Sequence, residues 1–151
     1  MKTNDVTRRY RPGQVGLTFE LGRPGTGAKL GDVEAVTRVL AGLGMRLEPA
    51  NPLSELVVDR ELGLLDPRVV NERVLSAVVE CAVPAPRLAE VLTRVRRVAT
   101  ALATVMSVGI TFVSEGEDGS TVQAALSRLG LEASPNGKVN VGLGRRCVGE
   151  P

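Results

Sequence analysis

The sequence predicts an α+β domain in which amphipathic helices cover one face of an antiparallel sheet. Three observations predict it. Residues 14–21, QVGLTFEL, alternate strictly: Val15, Leu17, Phe19 and Leu21 fall on one side, Gln14, Gly16, Thr18 and Glu20 on the other. Apolar residues at 33, 36, 40 and 43, and again at 88, 91, 92, 95, 98 and 102, recur at the spacing of one helix face. The order of elements, β-α-β-β-α-β, is the split-βαβ arrangement called ferredoxin-like, followed by a C-terminal helix and strand as an extension.

The elements follow in order. Residues 1–13 read as a flexible polar arm with Arg8, Arg9 and Arg11 ahead of Pro12-Gly13, and residues 14–151 as a single α+β domain. After the first strand and a glycine-rich loop, Asp32 is placed to cap a helix that stops at Gly44. A second strand is expected within 45–60, with SELVVDRE its most strand-like piece and Pro49 and Pro52 bending it or holding it at an edge. Asp66-Pro67 has the form of a helix start, so a short helical turn at 67–71 is expected before a strand at 73–83.

The second helix spans about 86–104, with Glu90 and Arg94 as an i,i+4 pair. SVGITFV (107–113) is a strand, and Ser120-Thr121-Val122-Gln123 resembles a capping box for a helix ending at Gly130. Pro135-Asn136-Gly137 then turns the chain into KVNVGLG, a last short strand.

Composition narrows function more than it names it. Aromatics are only 2% of 151 residues, so a core of Val, Leu and Ala is expected. Lysine is confined to positions 2, 29 and 138 and isoleucine to 110, a usage read as the codon bias of a GC-rich, bacterial genome. A net charge of +2 is far below that of a typical nucleic-acid binder. The two cysteines, Cys81 and Cys147, read as free thiols in a reducing compartment, and with no apolar leader or membrane-length run the expected location is cytoplasmic.

The stretch GRPGTGAKLGD (22–32) has the glycine spacing of a phosphate loop but puts Ala28 where the lysine belongs. Lys29 comes one residue late and Leu30 replaces the metal-binding hydroxyl. It reads as a connection, and no cofactor is expected. No histidine occurs, which removes Ser-His and Cys-His nucleophiles; two distant cysteines make no zinc site, and Glu115-Glu117-Asp118 reads as a solvated turn.

The expected site is the sheet face that the helices leave open. Glu20 and Glu80 should point to it from neighbouring central strands, beside Thr18, Ser76 and Thr111. Val74, Val78 and Val113 make that face more apolar than an open one needs to be, so a cover is expected: a second subunit, a small apolar ligand or a peptide. The function this supports is a non-enzymatic binding module that forms a homodimer through its sheet. The enzyme alternative is a small cofactor-independent catalyst with Glu20 or Glu80 as general base. A weaker alternative is an accessory protein contacting nucleic-acid phosphates through its arginines, since the outward Gly16, Thr18, Ser76 and Val78 exclude base stacking.

Overall fold

The computed structural model describes residues 10–113 and 118–132, and its architecture is α+β. The alternating segment forms β1 (Gln14–Leu21), with Val15, Leu17, Phe19 and Leu21 all fully buried. A glycine loop leads through β2 (Ala28–Lys29) directly into α1 (Leu30–Gly42), which buries Val33, Val36 and Leu40. Two short strands, β3 (Val57–Asp59) and β4 (Leu64–Leu65), then pair as a hairpin. They are followed by β5 (Arg73–Val74), β6 (Ala77–Pro84), α2 (Leu88–Ala99), β7 (Met106–Phe112) and α3 (Asp118–Arg128).

The main sheet has three strands in the order β6-β1-β7, with β1 antiparallel to both neighbours. Its registers place Leu17 between Cys81 and Ile110, and Phe19 between Val79 and Val108, so the buried rows of the strands share one face. That face packs against the buried stripes of α1 and of α2, where Leu88, Val91, Leu92 and Val95 are buried. Truncating a fully buried side chain of this core, such as Phe19, costs about 3–5 kcal/mol.

Several expectations are corrected. SELVVDRE holds the short strand β3, but it pairs with β4 and not with the main sheet: Pro52–Glu55 is a 3-10 turn capped by Asn51, and Leu47 bridges to Cys81 at the outer edge of β6. The prolines explain it, because proline gives a ladder no N–H. Residues 67–71 make consecutive turns, Val69 N–H donating to Asp66 and Glu72 N–H to Val69. Asp66 caps no helix there; it chelates Arg68 through the guanidinium at 2.5 Å and the backbone N–H at 2.9 Å, and this hydrogen bonding holds its carboxyl below the usual range.

The strand expected at 73–83 is broken at Leu75 and Ser76, so Val74 pairs with Ala28 instead of joining the open face. The α1 N-cap is Lys29, with no side-chain bond, and Asp32 lies in the first turn, accepting from the Ala103 N–H at 3.3 Å. Glu90 is bound by Arg87 at 2.8 Å, not by Arg94, and that hydrogen bond lowers its pKa most, with Arg94 a minor contributor. Ser120 sits inside α3, which begins two residues earlier. Most of the N-terminal arm, the SEGE turn at 114–117 and the strand expected at 138–144 lie outside the described residues.

The hairpin is anchored on α1 by close contact. Thr37 Oγ1 donates to the Gly63 carbonyl at 2.6 Å, and Glu34 Oε2 accepts from the Leu65 N–H at 2.9 Å. Gly63 has φ +69, and a Cβ there would lie 2.4 Å from the Thr37 carbonyl oxygen. Gly63→Ala is therefore expected to lose about 2 kcal/mol or more. Gly42→Ala, at a helical position where an added Cβ meets nothing within 4 Å, should be neutral or slightly stabilising. Urea denaturation of both variants checks the contrast in sign.

Candidate functional site

The open face of the sheet carries every second residue of the ladder. Thr18 faces Glu80 on one side and Gly109 on the other; Glu20 faces Val78 and Ser107; Gly16 faces Ala82 and Thr111. Of the expected site residues, Thr18, Glu20, Val78, Glu80 and Thr111 are thus gathered on one surface. Ser76 is exposed in the break before β6, and Val113 is half-buried just past β7.

Two groups already occupy parts of this face. Tyr10 lies over Gly16, so closely that a Cβ on that glycine would be 2.2 Å from the ring. Asn51, itself buried, donates from Nδ2 to Glu80 Oε2 at 2.8 Å and to the Val78 carbonyl at 3.1 Å, while its Oδ1 accepts from the Leu53 N–H. Glu80 therefore serves as an anchor for the 48–54 connection, whose Glu48 N–H also donates to the Glu80 carbonyl. Glu20 keeps a looser partner, Ser107 Oγ at 3.4 Å.

Cys81 points into the core, where burial pushes its thiol up to about 12, so it stays a protonated, unreactive packing group at neutral pH. In the glycine loop, Gly22 and Gly27 have positive φ, and a Cβ on either would come within 2.9 Å of the backbone around Val74 and Leu75. The Gly22 N–H donates to Val105, and the Gly27 carbonyl accepts from Thr104. These glycines serve close backbone approach. Lys29 is exposed and lies across from Arg73. Among the described residues, no group of three His, Cys, Asp or Glu side chains is placed to hold a metal ion, and no helix is long and apolar enough to cross a membrane.

Two features were not singled out from the sequence. The first is a partly open pocket of about 440 Å³ beyond the outer edge of β6, with Met45, Leu47 and Val57 on its apolar wall and Arg46, Arg60 and Glu61 as its charges. The second is the distribution of exposed apolar side chains. Among the described residues the large ones are Val58, Leu62, Leu75, Val105, Val108 and Phe112. Only Val108 and Phe112 belong to the main sheet, and their register puts them on the helix side of the edge strand β7, not on the open face. Asn51-Pro52 was the one local signal for the first region, since Asn before Pro marks a turn or cap. Compared with known protein families, curated proteins and solved structures, the chain matches none.

Asn51→Ala should cost about 1–3 kcal/mol by orphaning the carboxylate and carbonyl it satisfies. Asn51→Asp places a second carboxylate against Glu80. That repulsion favours proton binding by the folded state over the unfolded state, so the deficit should be largest at neutral pH and shrink below about pH 5. Chemical denaturation of both variants from pH 4 to 8 measures this.

Proposed function

We propose that the protein is a non-catalytic interaction module that forms a homodimer by joining its sheet to that of a second copy along β7. One observation carries the reading. Among the described residues β7 pairs on one side only, and its seven residues, MSVGITF, contain neither a charge nor a proline. Exposed edges are normally protected by such residues, by bulges or by a cover, because their free N–H and C=O groups recruit further strands.

Val108 and Phe112 add apolar area at the same edge, being 41% and 37% exposed. A two-fold axis beside β7 pairs it antiparallel with its own copy, giving a six-stranded sheet with one patch serving both partners. The open face supports association less, because Tyr10 and Asn51 lie on it and, among the described residues, no large exposed apolar side chain of the three strands points to it.

The strand order, both helices on one face and the Leu47–Cys81 bridge where a fourth strand would run support a ferredoxin-like ancestry for the domain. Catalysis by a carboxylate base is less favoured, since Glu80 is committed to Asn51 and Glu20 is the carboxylate left for it.

Sedimentation equilibrium of the full chain should show a dimer at micromolar concentration. Val108→Lys, an exposed edge position, should weaken the dimer at least about tenfold, a loss of roughly 1.4 kcal/mol, with an unchanged circular dichroism spectrum. A wild type that stays monomeric to millimolar concentration, or a Val108→Lys dimer as tight as the wild type, contradicts the proposal.

A further inference from the structure

The pocket beside β6 is built from two short segments that the fold holds in place. Arg46 lies between Met45, whose N–H donates to the Leu40 carbonyl at 2.9 Å, and Leu47, which bridges to Cys81. Arg60 lies in the turn after β3, where Asp59 Oδ1 accepts the N–H groups of both Glu61 and Leu62 at 2.9 Å. Met45 and Val57 are buried, so the wall between the two arginines is apolar. Ser54 also lines the space, but its hydroxyl hydrogen is donated to the Glu48 carbonyl at 2.6 Å.

Neither guanidinium has a hydrogen bond or ion pair among the described residues, whereas those of Arg68 and Arg87 elsewhere are bound to Asp66 and Glu90. Glu61 is the one acidic side chain of the lining, so two guanidiniums and one carboxylate leave the pocket with a single excess positive charge. Guanidinium presents a planar fork that fits a carboxylate or phosphate oxygen pair. A volume of about 440 Å³ lies within the range of small-molecule sites, which combine apolar walls with a few placed polar groups.

We infer that this pocket binds a small amphiphilic monoanion, its apolar body against Met45, Leu47 and Val57 and its carboxylate-type head held by Arg46 and Arg60. The site lies on the far side of the sheet from β7, so occupancy does not depend on self-association.

Isothermal titration calorimetry of the full chain with octanoate tests this, with 1-octanol and acetate as probes lacking the charge or the tail. Octanoate should bind more tightly than either. Arg46→Gln and Arg60→Gln should each weaken it about tenfold, and the double variant should abolish it, while Arg94→Gln on the exposed side of α2 leaves it unchanged. Absence of binding at millimolar octanoate, equal binding of acetate, or wild-type affinity in the double variant overturns the inference. Both arginines are exposed, and an unchanged thermal midpoint confirms that each variant is folded.

Discussion

Strand β1 is paired along both edges and sealed on one face, and the other elements take their positions from it. Its four inward side chains are fully buried, and its two ladders bring β6 and β7 alongside. The segment from Ala77 to Phe112 runs out along β6, returns through the helix layer as α2 and runs out again along β7, so the two outer strands are parallel to each other. Such a crossover leaves one strand at each margin of the sheet. The outer margin of β6 receives the 47–51 connection; among the described residues no strand or bridge pairs with the outer margin of β7.

The two margins differ in chemistry for a reason that lies in the chain. Pro49 and Pro52 prevent the connection after α1 from running on as a strand, so its backbone pairs with β6 at Leu47 and Glu48 and then turns away, with the Asn51 side chain reaching back to Val78 and Glu80. The turn opens the space that Arg46 and Arg60 border. On the other side β7 is smooth and uncharged, with apolar side chains that the helices only half cover. One margin thus presents two guanidiniums beside an apolar wall, and the other, among the described residues, an uncharged strand edge.

Strict local periodicity was legible. The alternation at 14–21 became β1 with the expected bounds, and the 3–4 spacing of Val33, Val36 and Leu40 and of Leu88, Val91 and Val95 marked the buried sides of α1 and α2. The gathering of Thr18, Glu20, Val78, Glu80 and Thr111 followed from the same alternation.

What escaped was set by contacts distant in sequence. Residues 73–83 alternate throughout, yet Ala28 and Lys29 capture Arg73 and Val74 and force a break at Leu75. Nothing local says that Tyr10 lies on Gly16, that Asn51 reaches Glu80 across 29 positions, or that Arg46 and Arg60 border one pocket. Arg87 likewise displaced Arg94 as the partner of Glu90 because its guanidinium also reaches the Leu43 carbonyl at the end of α1. The central claim is the proposal that the outer edge of β7, unpaired among the described residues, pairs with a second copy of the chain. Amide hydrogen exchange along Met106–Phe112, followed by NMR over a hundredfold range of protein concentration, tests it most directly. The account predicts that the β7 amides pointing away from β1 exchange fast when dilute and slowly when concentrated, while those directed at β1 stay protected throughout. Outward amides that are protected equally at every concentration would contradict it, because the edge would then be covered within a single molecule.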